Sequence, residues 1–167
     1  MHRTEKHGDD RRIKDSIMSS SVLVVDADPA IREMVVEALR DDGYLAVEAE
    51  DGAEAFAIIT ENPALHSLVL LDLEMQETDG RWFARRLREA GISLSIVVVS
   101  GSVTARVWAT EIGASAHLMK PFDLKNLLDI VERLCPLNEA IAIGDRATVM
   151  AGFLPSTDLR PAHFDPN

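Results

Sequence analysis

The sequence predicts an α/β domain, a doubly wound five-stranded parallel sheet with helices on both faces. Three observations predict it. Short apolar runs alternate with helical patterns five times between residues 21 and 136. The runs "LVLL" and "IVVV" are continuously apolar, as strands covered on both faces require. Polar groups follow these runs directly at Asp26, Asp72, Ser100 and Lys120, and the carboxyl ends of parallel strands are where such sheets place working residues.

The first strand is read from "VLVV", which runs into Asp26. A helix follows, with Pro29 in its first turn, Ile31, Met34, Val35, Ala38 and Leu39 spaced to line one face, and Gly43 at its end. "YLAVEA" is the second strand; the helix after "EDGAE" carries Phe56 and Ile59 inward and stops before Pro63. "LVLLD" is the third strand, and its helix begins near the "DG" of Asp79 and Gly80, buries Trp82, Phe83 and Leu87, and ends at Gly91. "SIVVVS" precedes a fourth helix whose Trp108 suits either the core or a partner surface. "HLM" is the fifth strand. The last helix runs from Asp123, a good N-cap, through Leu124, Leu127, Leu128, Val131 and Leu134 to Pro136.

At 167 residues and 47% hydrophobic, the chain can bury one good core, and two full domains would leave each undersized. The organisation expected is a flexible arm over residues 1–20, one domain over 21–136, and a tail over 137–167 without a recognisable effector domain. A net charge of −11, with no basic run, repels phosphate backbones, so nucleic acid is not expected as a direct partner. Cys135 is the single cysteine, which excludes an internal disulfide and a cysteine-based metal cluster and reads as a part-buried thiol. No apolar run approaches the ~20 residues that span a bilayer, and the N-terminal stretch is polar, so the expected location is the cytoplasm, with no membrane partner.

Carboxylates at neighbouring strand ends can hold a hard divalent cation such as Mg²⁺, which prefers oxygen ligands and keeps several waters. A hydroxyl and an ammonium from the next strands can then bind the oxygens of a phosphoryl group carried on one carboxylate. The residues for this chemistry are Asp26, Asp72, Ser100 and Lys120.

The stretches "VLVVDADPAIR", "LVLLDLEMQETDG", "SIVVVSG" and "GASAHLMKPFD" stand in one order over residues 22 to about 135, and with them the chain resembles a response-regulator receiver domain. The resemblance implies the flavodoxin-like (βα)5 receiver fold. It implies that Asp72 accepts a phosphoryl group from a histidine kinase or histidine phosphotransfer protein, that Ser100 binds the phosphate when the domain switches, and that Lys120 neutralises it. It further implies that Mg²⁺ is bound by Asp72, by the backbone carbonyl of Glu74 and, through water, by Asp26. Output would pass through protein contacts on the face of the fourth helix, fifth strand and fifth helix. Because no helix-turn-helix or cyclase pattern follows the fifth helix, a stand-alone receiver is expected.

Three positions depart from the family. Ala27 stands where the family has an acid that touches the metal, so Mg²⁺ binding is expected to be weak. Asp28 does not replace it in this reading: it precedes Pro29, which holds it extended, where its carboxylate caps the helix. Gln76 replaces a common proline, and His117 replaces an aromatic switch residue, three positions before Lys120. An imidazole there can still rotate, and as a side-chain class it changes charge near neutrality; an ordinary strand-end histidine is the alternative.

Two other readings compete. A degenerate receiver could act as a binding module independent of phosphorylation, with Ala27 as its support. "VVDADPA" also fits the paired-acid opening of a haloacid-dehalogenase-like phosphatase, with Asp28 as general acid and "IAIGD" at residues 141–145 as a later motif. That enzyme would leave "LLDLEM" and "DG" unexplained. The reading favoured is a phosphoacceptor signalling domain rather than an enzyme.

Overall fold

A computed structural model describes residues 21–75 and 80–137. The expected arm over 1–20, the tail from 138 onward with its "IAIGD", and the positions Gln76 and Asp79 lie outside the described residues.

The elements alternate: β1 (Ser21–Val25), α1 (Pro29–Asp41), β2 (Leu45–Ala49), α2 (Gly52–Glu61), a 3-10 turn (Pro63–Leu65), β3 (Leu68–Leu71), α3 (Gly80–Glu89), β4 (Ser95–Ser100), α4 (Ala105–Ile112), β5 (Ala116–Met119) and α5 (Leu124–Leu134). All pairings are parallel, and the strand order is β2-β1-β3-β4-β5. This is the doubly wound sheet that the sequence predicts.

Each strand feeds both faces by its period of two. On one face Leu23, Val25, Val69, Leu71, Ile96 and Val98 meet α2, α3 and α4 through Ala55, Ile59, Phe83, Leu87, Ala105 and Ala109. On the other, Val22, Val24, Leu68, Leu70, Val97 and Val99 meet α1 and α5 through Val35, Val36, Leu39, Leu127 and Val131. At about 25 cal/mol per Å² of apolar surface removed from water, these two clusters are the main force holding the layers together.

Local chemistry sets the helix ends. Asp28 is extended (φ −79°, ψ 111°) and accepts hydrogen bonds from the amides of Ala30 and Ile31, with Pro29 at the first helical position. Asp51 and Asp123 cap α2 and α5 in the same way. Gly43, Gly91 and Gly113 take left-handed φ values of 101°, 69° and 73° just after α1, α3 and α4, where a side chain would be strained.

Two expectations are corrected. Met34 does not face the core: it is 41% exposed, and Val36 is buried in its place. The apolar stripe of α1 is therefore rotated toward Val35, Val36 and Leu39, because the helix lies on the sheet beside α5 and must bury the flanks that face each of them. Cys135 is fully rather than partly buried, and burial raises its thiol pKa, partly offset by a hydrogen bond with Ser67. Trp108 is half-buried against the α2-α3-α4 core, with the Arg81 guanidinium 4.1 Å from its ring centroid.

Candidate functional site

In the strand order, the chain turns from one edge of the sheet to the other between β1 and β3, and a crevice opens there beyond the carboxyl ends of the strands. Val25 of β1 is in register with Leu71 of β3, so the next residues, Asp26 and Asp72, emerge side by side. The ladder continues past both strands: the Asp72 amide donates to the Val25 carbonyl at 2.9 Å and the Asp26 amide to that of Ala49 at 3.2 Å. Both acids are buried, with 4% and 6% of their surface exposed.

Lys120 brings them together. Its Nζ lies 2.7 Å from Asp26 Oδ2 and 2.9 Å from Asp72 Oδ2. The remaining carboxylate oxygens are held by backbone amides: Asp26 Oδ1 accepts from Asp28 and Asp72 Oδ1 from Glu74, each at 2.9 Å. Burial alone pulls the Lys120 pKa down, but hydrogen bonds and charge attraction from the two aspartates outweigh it and leave the ammonium above its ordinary value. The arrangement is a cation clamped between two fixed carboxylates.

Ser100 ends β4 fully buried, and its hydroxyl accepts from the Ser102 amide at 3.1 Å while its carbonyl accepts from the Lys120 amide at 3.0 Å. The hydroxyl is thus engaged with its own loop. His117 pairs with Val98 across β4 and β5 and is exposed, on the strand that leads to Lys120. Ala27 is exposed at the crevice and presents no oxygen from its side chain, while Asp28 is committed to the cap of α1. Among the described residues no three His, Cys, Asp or Glu side chains are gathered as a metal-ligand cluster.

Gly80 packs against the end of β3. A Cβ at this position would lie 2.6 Å from Leu73 Cδ2 and 2.9 Å from the Asp72 carbonyl oxygen, so only glycine lets α3 start this close to the end of β3.

Two participants are not read from the sequence. Arg32 donates from Nη1 to the Asp26 carbonyl at 2.7 Å and pairs with Glu48 at 3.3 Å, bracing the end of β1. The Glu74 side chain, and not its carbonyl alone, reaches across the crevice to accept from the Gly101 amide at 3.1 Å. For neither did a local signal exist: Glu74 lies in the loop past the end of β3, and the partners of both residues are fixed only by the tertiary fold.

Parallel strands in this order, with acids after β1 and β3 and a lysine after β5, define the class: a receiver-type signalling domain. The model of the response regulator receiver domain family matches residues 22–132, and the chain belongs to that family. It is 40% identical over 113 residues to the response regulator MprA of Mycobacterium sp. strain KMS, a match covering 66% of this chain and 48% of that protein. The chain therefore spans about half the length of the curated relatives it matches. Among solved structures it is similar to the Vibrio cholerae chemotaxis protein CheY4, with a TM-score of 0.63 and 28% identity over 69% of this chain and 98% of that one. It is also similar to the Thermotoga maritima response regulator TrrA, solved in complex with Mg²⁺-BeF, with a TM-score of 0.61 and 30% identity over 69% of this chain and 98% of the other. Among the described residues no helix is long and apolar enough to cross a membrane. With the family established, the phosphatase alternative has little left: its second acid, Asp28, is spent on a helix cap.

Proposed function

We propose that this domain accepts a phosphoryl group on Asp72 from a phosphohistidine of a histidine kinase or phosphotransfer protein and passes the signal on by protein contacts. The observation that carries this reading is the pairing of Lys120 with Asp72 at 2.9 Å in a crevice that Ser100 also borders. In the transfer an Asp72 oxygen attacks phosphorus, the O–P bond forms, the P–N bond of the donor breaks, and the imidazole leaves with the electron pair. Lys120 is already in place to balance the added charge, close to two units at neutral pH. Ser100 accepts the Ser102 amide through an oxygen lone pair, which leaves its O–H able to donate to a phosphoryl oxygen.

Mg²⁺ fits the donor set, since it is commonly held by one or two carboxylates plus waters. Asp26, Asp72 and the Glu74 carbonyl would hold it, and when bound it would offset charge on the transferring group. Binding should be weak for two reasons: Ala27 supplies no oxygen, and Lys120 already engages Oδ2 of both aspartates. The binding-module reading keeps one support, the same Ala27, and predicts no response to a phosphate mimic.

Amide-shift mapping by NMR with Mg²⁺ and beryllofluoride tests the proposal. Changes should extend from Asp72 through Ser100 to His117 on β5. Changes confined to the loops around Asp72, or none, would make the domain a phosphate sink or a static module.

A further inference from the structure

The net charge of −11 is not spread evenly over the molecule. Helix α3, Gly80–Glu89, carries four arginines and one glutamate in its 10 residues, whereas its neighbour α2 has two glutamates and no basic residue, and α4 has one arginine against one glutamate. The buried side of α3 is formed by Gly80, Phe83, Ala84 and Leu87, and Arg81, Arg85, Arg86 and Arg88 are all exposed. Arg81, Arg85 and Arg88 fall at spacings of four and three, so they form one row. The row is braced against α4 at both ends: Arg81 lies over Trp108, with Cζ 4.1 Å from the ring centroid, and Arg88 Nη2 donates to the Ile112 carbonyl at 3.3 Å. On the α2 side, Arg86 lies over Phe56 at 5.2 Å and over Trp82 at 5.8 Å. The two tryptophans of the chain are thus on this one surface, each beside an α3 arginine.

We propose that the arginine face of α3 is a docking surface for an acidic segment of a partner protein, one in which carboxylates flank an apolar or aromatic side chain. The inference stands apart from the phosphoacceptor reading, because none of these side chains is among those gathered around Asp72. Charge complementarity selects the partner. Arginine meets a carboxylate through a planar fork of donors, and a guanidinium already laid over a ring loses less freedom when it binds. The ion pairs now on the helix are weak and readily exchanged: Glu89 serves both Arg85, at 3.9 Å, and Arg86, at 3.0 Å, and the three side chains are between 45% and 65% exposed. Tryptophan and arginine are also the residues that dominate binding energy at protein interfaces. A nucleic-acid backbone fits less well. A helix of this length spans about 15 Å, and a longer polyanion would run from the patch onto a protein surface of net negative charge.

The test uses the full chain and a short synthetic peptide of glutamates around a central Phe-Leu pair, with an oligothymidylate of equal charge for comparison. Titration with the peptide should change the tryptophan fluorescence, and NMR shifts of backbone amides and arginine Nε–H groups should map to α3 and to the flanking Phe56 and Trp108. In Arg85→Glu/Arg86→Glu the affinity should fall at least about tenfold, the scale of one lost charge-assisted hydrogen bond. Thermal unfolding establishes that this variant is folded; if it is not, the shift map of wild type decides alone. Lys125→Glu/Arg133→Glu on α5 makes an equal change of charge at exposed positions, and at physiological salt, where distant charges are screened, it should bind the peptide as wild type does. Shifts centred away from α3, unchanged affinity in Arg85→Glu/Arg86→Glu, an equal loss in the α5 variant, or no binding of the peptide would overturn the proposal. Tighter binding of the oligothymidylate would overturn it in favour of a nucleic-acid site.

Discussion

Lys120 holds Asp72 at 2.9 Å from Nζ to Oδ2, across 48 residues of sequence, and the same ammonium holds Asp26 at 2.7 Å. The Lys120 side chain is 16% exposed and the two aspartate side chains less, so none of the three is well hydrated. Removing one partner of such a cluster leaves charge uncompensated. Lys120→Ala should lower stability by about 3 kcal/mol, as measured by urea unfolding, and Mg²⁺ should restore part of the loss by replacing the cation. Asp26→Asn in the Lys120→Ala background should also relieve it, because one of two facing acids is gone. Unchanged unfolding midpoints would show that the clamp contributes nothing.

Restoring the acid at position 27 should tighten metal binding. Ala27 is exposed at the crevice next to Asp26, so Ala27→Asp adds an oxygen donor without disturbing the core. Calorimetric titration with Mg²⁺ should show at least about a tenfold gain in affinity. Equal affinity would mean that another group already fills the position.

Asp28 should prove to be structural. Its carboxylate accepts from Ala30 at 2.9 Å and from Ile31 at 3.4 Å, and Asp28→Ala should therefore cost about 1 kcal/mol of stability. Mg²⁺ affinity, measured in the same titration, should stay the same. A large drop in affinity with little loss of stability would reverse the assignment.

His66 gives the fold a pH dependence away from the crevice. It is buried at 4% exposure, with Nδ1 3.4 Å from Ser21 Oγ, and burial lowers its pKa below the ordinary imidazole value of 6.5. A folded-state pKa below the unfolded one means that the unfolded chain binds the proton more readily. The histidine's contribution is therefore retained above about 6.5 and stability is lost as pH falls from there through the lowered folded value. His66→Gln should flatten the unfolding free energy over that window relative to wild type. A parallel pH profile would exclude His66 as the source.

How far the molecule was legible in its sequence depends on the range of the contact involved. The runs "LVLL" and "SIVVVS" are strands because a segment buried on both faces has little choice, and Asp28-Pro29 starts a helix because its cap is made within three residues. Asp26, Asp72, Ser100 and Lys120 could be placed at one end of the sheet for the same reason, since parallel strands all end on one side. Met34 was misplaced because spacing on a helix defines a stripe but not its rotation, which the packing of α1 against the sheet and α5 decides. The double grip of Lys120 and the reach of Glu74 to Gly101 join segments 94, 48 and 27 residues apart, and no local pattern encodes such pairs.

The measurement that bears most directly on the central claim is the location of the phosphoryl group. Wild type and Asp72→Asn should be treated with acetyl phosphate and Mg²⁺, and the product, stabilised by reduction, mapped by peptide mass spectrometry. Label on Asp72 in wild type, absent in Asp72→Asn, is the result expected of a receiver whose acceptor is clamped by Lys120; label that persists in Asp72→Asn, or that sits on Asp26, would contradict it.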